Sequence, residues 1–168
     1  MDISTQVKLA NKKLYNEVAT NYEGIDKRRS SSLAKWLSAN LEELGKIAGN
    51  EIMLDLGCGG GFVTRCATNI FKLRIGLDIS KNILSEHKDN FDVAIAGDVE
   101  AIPLKSESCN LVTAFAVLHH LFDFKKLVKE VARVLKKGGI FYTDHDIDEK
   151  FVQRFYLPLK IYRKIRSA

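Results

Sequence analysis

The sequence predicts an α/β fold: a doubly wound, mainly parallel sheet with helices on both faces. Three observations predict it. From residue 52 onward, short apolar runs alternate with stretches of helical periodicity. Strands joined by helical crossovers lie parallel and are covered on both sides. The first run leads into a glycine loop, Gly57-Cys58-Gly59-Gly60-Gly61, and acids stand near the ends of later runs. Ligands of such sheets bind at the carboxyl ends of the strands, near the topological switch point.

The elements follow in order. Between Gln6 and Asn21, Val7, Leu14, Val18 and Ala19 alternate with polar residues and read as a short amphipathic helix. Ser30-Ser31-Ser32 supplies hydroxyls to cap a second helix, in which Leu33, Trp36, Leu37, Leu41 and Leu44 recur at helical spacing. Gly45 or Gly49 can end it. Ile52–Leu56 is the first strand, and the glycine loop and a helix over Thr64–Ile70 follow. Leu73–Asp78 is the second strand, with a helix over Lys81–Lys88. Asp92–Ala96 and Leu111–Phe115 are the third and fourth strands. A helix over Lys125–Leu135 is stopped by Lys136-Lys137-Gly138-Gly139, whose lysines suit the negative end of the helix dipole. Ile140–Thr143 is the fifth strand. The expected organisation is a helical cap over 1–48, an α/β core over 49–148 and a basic, aromatic helix over 149–168.

Bulk properties narrow the class. The chain has 168 residues, 46% of them hydrophobic and 28% charged, which suits one globular domain with a real core. No apolar run approaches a bilayer's thickness, and Met1-Asp2-Ile3-Ser4-Thr5 lacks the pattern of a signal peptide. Cys58, Cys66 and Cys109 are scattered and suggest neither a disulfide frame nor a zinc site. No metal is expected, and the default compartment is cytoplasmic. The net charge of +5 concentrates in Lys27-Arg28-Arg29 and in Lys150–Arg166. Such clusters suit nucleic acid, an anionic membrane or an acidic partner, and equally a solvated helix face.

Glycines after a strand let the backbone turn sharply and let a ligand reach main-chain atoms. A dinucleotide-binding loop wants G-x-G-x-x-G. Read from Gly57, the third slot holds Phe62; read from Gly59, it holds Thr64. Neither register fits, which counts against a nicotinamide-dependent oxidoreductase. Asp55 lies inside the first strand, where an acid needs a partner. Asp78 closes the second strand about 20 residues past the loop, where an acid holds ribose hydroxyls or simply caps the next helix.

These pieces, in this order, resemble the class I S-adenosylmethionine-dependent methyltransferases. The matching segments are Leu54–Gly61, Gly76–Ser80, Gly97–Leu104, Ala116–Leu121 and Glu130–Gly139. The resemblance is nearest to the branch that holds ubiquinone- and menaquinone-type and many small-molecule enzymes. It implies a Rossmann-like fold and S-adenosylmethionine as cofactor. It further implies that Asp55 and the backbone of Gly57, Cys58, Gly59 and Gly61 hold the amino-acid portion. Asp78 would take the ribose diol and Ile79 the adenine face; Asp98 and Val99 would meet the adenine edge. Phe115 and Ala116 would border the methionine part, and Tyr15 and Tyr22 would fold over the cofactor.

Methyl transfer is an in-line displacement, for which the protein mainly positions reactants and excludes water. A general base helps with some acceptors. Candidates are His119 and His120 after the fourth strand and His145, between Asp144 and Asp146, after the fifth. These residues read either as an acid/base or metal site, or as a His-His turn with loop residues that cap a helix. Relatives of this kind carry a helix and a further pair of strands past the fifth strand, whereas here Phe151–Arg166 leads to Ala168. The expectation is a sheet ending after its fifth strand, which fits a shortened protein whose edge a partner or second copy covers, a truncated form or a minimal one, with peripheral membrane contact open to 150–166. The functional expectation is a methyltransferase acting on a small-molecule acceptor rather than nucleic acid. The alternative is a cofactor-binding module that is inactive alone or works with a partner.

Overall fold

Met53, Leu54 and Leu56 leave β1 (Ile52–Leu56) no solvent-facing side, and a strand apolar on both faces belongs inside a parallel sheet. In the structure, a computed structural model that describes residues 1–22 and 30–146, β1 is the middle strand. It lies between β2 (Leu73–Asp78) and β4 (Cys109–Phe115). β3 (Val93–Ala96) pairs with β2, and β5 (Leu135–Asp144) pairs with β4. The order is β3-β2-β1-β4-β5, and every pairing is parallel. The chain winds outward from β1 to β3, then restarts at β4 on the other side. The switch point therefore falls between β1 and β4.

Five α-helices accompany the sheet among the described residues: α1 (Ile3–Glu17), α2 (Ser31–Ala48), α3 (Phe62–Cys66), α4 (Lys81–Glu86) and α5 (Lys125–Val134). Side chains alternate across each strand, and the two faces go to different partners. Leu54, Leu56, Val112 and Ala114 pack with Leu127, Val131 and Val134 of α5. Met53 and Leu111 pack with Leu37 and Leu41 of α2 and with Phe62 and Val63 of α3. Each fully buried leucine contributes about 1.5–3 kcal/mol by leaving water. Ser30 caps α2 by accepting from the Leu33 N–H, and Ser80 caps α4 by accepting from the Ile83 N–H.

Several boundaries differ from expectation, most by one or two residues and three by more. The first helix runs over Ile3–Glu17 and gives way to a 3₁₀ turn at Ala19–Asn21. α3 ends at Cys66 rather than Ile70: Ala67 already leaves helical geometry at φ −88°, ψ 4°, and Asn69, at φ +65°, keeps the chain from resuming it. The last strand starts at Leu135, opposite Cys109, then bulges through Lys136–Gly139 before Ile140 pairs with Leu111. Gly138, at φ +80°, supplies that bulge. Among the described residues no helix is long and apolar enough to cross a membrane. The basic cluster Lys27-Arg28-Arg29 and the expected helix over 149–168 lie outside the described residues.

Candidate functional site

A cavity of about 520 Å³ opens at the carboxyl ends of β1, β2 and β4 and is roofed by α1. That size falls within the range of small-molecule and cofactor sites. Its floor is the glycine loop. Gly57 and Gly59 both have positive φ, +61° and +50°, which strongly favours glycine. A Cβ on Gly57 would stand 2.7 Å from Val117, and one on Gly59 would collide with the Tyr22 hydroxyl. Both glycines and Cys58 line the cavity. Gly61, also assigned to the cofactor from sequence, is not among the lining residues. It precedes α3, and its Cβ space is filled by Asn90, Thr64 and Phe91.

Asp55 and Thr113 are register partners on adjacent strands and point to the same face. The Thr113 hydroxyl donates to Asp55 Oδ1 at 2.7 Å, and both residues are almost wholly buried. An acid in the middle of a sheet is costly without such a donor. Asp78 closes β2 and clasps the loop: Oδ2 accepts from the Gly59 N–H at 2.9 Å and Oδ1 from the Ser80 N–H at 2.8 Å. Burial pushes its carboxyl above the usual range, against the pull of these backbone donors. Ile79 follows it into the cavity wall.

Beyond β3, Asp98 and Val99 line the cavity. Asp98 Oδ1 accepts from the Glu100 N–H, and Oδ2 lies 2.6 Å from the Lys8 ammonium of α1. Lys8 also pairs with Glu100 at 2.6 Å. On the opposite wall, Phe115 ends β4 and stacks on His145 with centroids 4.2 Å apart. Ala116 has φ +59° and donates its N–H to the Asp144 carbonyl, a strained turn of the kind found at functional sites.

The three histidines named from sequence all line this wall, in different settings. His120 Nε2 is hydrogen-bonded to the Tyr15 hydroxyl at 3.0 Å, and its carbonyl accepts from Asn11. Burial first, and the neighbouring His119 second, hold His120 below the ordinary imidazole pKa. His119 Nδ1 lies 2.8 Å from Asp146 Oδ1. His145 Nδ1 lies 3.1 Å from Asp144 Oδ1. Tyr15 and Tyr22 meet edge to face, 6.1 Å apart, over the loop. Among the described residues no group of three or more His, Cys, Asp or Glu is placed to hold a metal ion.

Lys8, Asn11, Asn16 and Glu100 escaped the sequence reading. Lys8 and Asn11 recur at helical spacing on α1, yet each meets a partner about 90 or more residues away. Asn16 accepts from Ser80, 64 residues away. Nothing local in the sequence marks such pairings.

The family model for the methyltransferase domain matches residues 54–143, more than half of the chain. The chain belongs to this family. The match begins in β1 and ends in β5, so the methyltransferase domain contains the loop, Asp78, Asp98 and Phe115. S-adenosylmethionine is the cofactor that goes with it. Among relatives, the chain is 29% identical to a mouse (Mus musculus) tRNA (carboxymethyluridine(34)-5-O)-methyltransferase, over 75% of this chain and 18% of that protein. It is 28% identical to the demethylmenaquinone methyltransferase of Lactococcus lactis, over 88% of this chain and 64% of that one. The chain thus spans a fifth to under two thirds of these relatives' lengths. A crystal structure of an S-adenosylmethionine-dependent methyltransferase from Clostridium acetobutylicum superposes with TM-score 0.62 and 25% identity, covering 77% of this chain and 56% of that one.

The site suits that cofactor on its own terms. Asp55, Asp78, Asp98 and Glu100 line the cavity, and Lys8 is the sole lysine or arginine lining it among the described residues. A cavity so charged attracts a ligand carrying sulfonium and ammonium charges and repels a pyrophosphate. Asp78, Gly57 and Gly59 all line the cavity, so a carboxylate for ribose hydroxyls and main-chain atoms for an amino-acid portion are available in it.

Proposed function

We propose that this domain transfers a methyl group from S-adenosylmethionine to a small-molecule acceptor bound in the same cavity. The acid-rich lining carries this reading. The bound cofactor would supply an electrophilic methyl group on a cationic sulfur. The chain's own residues bind, orient and exclude water. Asp78 and the loop backbone fix the ligand's ribose and amino-acid ends, with Ile79 and Val99 against the adenine. Asp98 meets the adenine amine once it shares its Oδ2 with, or releases it from, Lys8. Phe115 and Ala116 lie where the methyl group must emerge, and Tyr15, Tyr22 and α1 close the site from above. Positioning of this kind supplies much of the rate enhancement of a displacement.

A small acceptor is favoured over RNA by the same lining. Nucleic acid is gripped through its phosphates by lysine and arginine, and this mouth offers Lys8 alone among the described residues, already paired with two carboxylates. The apolar mouth residues Leu121 and Phe122 suit the body of a small organic molecule.

Calorimetric titration with S-adenosylmethionine, S-adenosylhomocysteine and NAD tests the cofactor. The expected result is binding of both sulfur ligands and none of NAD. NAD binding alone would restore the oxidoreductase reading. Transfer of labelled methyl to a metabolite extract, compared with bulk tRNA, tests the acceptor class. Label in tRNA only would refute the small-molecule assignment.

A further inference from the structure

We propose that His119, oriented by Asp146, is the general base of the transfer, and that the acceptor is a neutral nucleophile that carries a proton: a hydroxyl, thiol or N–H group. This rests on the methyl-transfer reading above and names its acceptor chemistry.

The geometry separates the three histidines. His120 is committed to α1 through Tyr15 and Asn11, and partial burial holds it below the ordinary imidazole pKa. His145 leans face-on against Phe115, and its partner Asp144 already serves the His145 N–H at 2.6 Å and the Tyr142 hydroxyl at 2.7 Å. Asp146 is different. It reaches across from the end of β5 to the turn after β4, and its Oδ1 accepts both the His119 N–H at 3.2 Å and the ring Nδ1 at 2.8 Å. Its Oδ2 is buried and has no hydrogen-bond partner among the described residues. Asp146 also faces His120, whose ring packs 4.0 Å from that of His119, but burial opposes a charge on His120, and the hydrogen bonds of Asp146 go to His119. Engagement of Nδ1 fixes the neutral tautomer with its hydrogen on that nitrogen, leaving Nε2 to accept a proton from a ligand in the cavity that His119 lines.

The proton balance follows. The acceptor's heteroatom forms a bond to the methyl carbon as the carbon–sulfur bond breaks. The bond pair remains on sulfur, which becomes neutral. The acceptor's proton ends on His119 Nε2, and the new imidazolium faces Asp146. His119 later returns that proton to water. An acceptor that is already anionic, such as a carboxylate, needs no base and would meet four carboxylates in this cavity. A neutral protic acceptor meets no such opposition and needs the base that His119 provides.

The test uses the full chain saturated with S-adenosylhomocysteine and para-nitrophenol as the protic probe, with para-nitrobenzoate as its anionic counterpart. At a pH where the free phenol is mostly protonated, the bound probe is expected to show the phenolate absorption band. His119→Gln is expected to lower that band by about tenfold, the equivalent of one pKa unit. Nitrogen chemical shifts of labelled histidine give a readout independent of any ligand: the wild type should hold His119 with hydrogen on Nδ1, and Asp146→Asn should release it to a mixture. An Nε2–H tautomer in the wild type, no phenolate at saturating probe, or a band unchanged in His119→Gln overturns the base. Tighter binding of para-nitrobenzoate than of para-nitrophenol overturns the acceptor class. Failure of S-adenosylhomocysteine to bind would instead sink the underlying methyl-transfer reading.

Discussion

Asp78→Asn separates the observed clasp on the glycine loop from the proposed contact with the ribose. Asp78 is 7% exposed, and its two oxygens accept from the Gly59 and Ser80 N–H groups. Asparagine can offer its oxygen to one of them only, so its amide nitrogen meets the other as donor against donor. Leaving one buried N–H unsatisfied costs about 1–3 kcal/mol. For a domain of this size that lowers the melting temperature by roughly 2–12 °C. Ligand affinity should fall as well, because a charged acceptor for the ribose hydroxyls is lost; at about 1.5–3 kcal/mol the loss is roughly 10- to 150-fold. Alanine is the poorer choice, since it strands both N–H groups. The effect also depends on pH. Burial holds the Asp78 carboxyl above its ordinary pKa, so the folded chain binds this proton more tightly than the unfolded chain. Acidification through the folded pKa toward the unfolded value adds stability to the wild type that asparagine lacks, and the gap between the two widens there. Urea denaturation at several pH values and calorimetry with S-adenosylhomocysteine read the two effects separately. A variant that melts like the wild type refutes the clasp on the loop. A folded variant with wild-type affinity refutes the ribose assignment.

Thr113→Val keeps the shape of the side chain but removes the donor to Asp55; a loss of about 1–3 kcal/mol in urea denaturation is expected, recovered in Thr113→Ser. Gly57→Ala forces a Cβ against Val117 at a left-handed position and should cost about 1–2 kcal/mol from the backbone alone; an unshifted melting curve would contradict the loop geometry. Lys8→Met frees Asp98 and Glu100, and hydrogen exchange over residues 3–17 should quicken while the sheet stays protected; uniform protection would show that the ion pair does not hold α1. His120 is held below the ordinary imidazole pKa by burial, so the unfolded chain takes up its proton first as pH falls. Stability contributed by neutral His120 is therefore lost from the unfolded imidazole pKa downward, and His120→Gln should remove that part of the slope in pH-dependent unfolding.

Much of the fold was legible because its causes are local. All five strands lie within the expected segments or extend them, since each is a short apolar run bounded by turn chemistry. Family membership agrees with the resemblance drawn from Leu54–Gly61, Gly76–Ser80 and the later segments. The early start of β5 was not legible: Leu135 pairs with Cys109 through a bulge, and a bulge depends on the partner strand rather than on the Lys-Lys-Gly-Gly run itself. Within the site, the glycine loop and the acids at strand ends follow from position along the chain. What joins them does not. Asp98 reads as an isolated acid until Lys8 is seen across from it, and Asp146 is a loop residue until β4 and β5 bring it to His119. Acceptance from Thr113 explains how Asp55 is tolerated inside β1, but that partner appears only with the strand register.

The helix over the cavity has a thermodynamic consequence of its own. α1 contains no buried residue; it is held by polar contacts at Lys8, Asn11, Tyr15 and Asn16. A segment with so little apolar anchorage belongs to the part of a protein that opens locally, well below the free energy of global unfolding. Val7, Lys8, Asn11 and Tyr15 also line the cavity, so α1 forms part of the surface that a bound ligand touches. Where detachment of α1 abolishes binding, a ligand at 100 times its Kd adds about 2.7 kcal/mol to the cost of that detachment. Protection of the N-terminal helix then becomes a gauge of cofactor occupancy, readable without turnover and without knowing the acceptor.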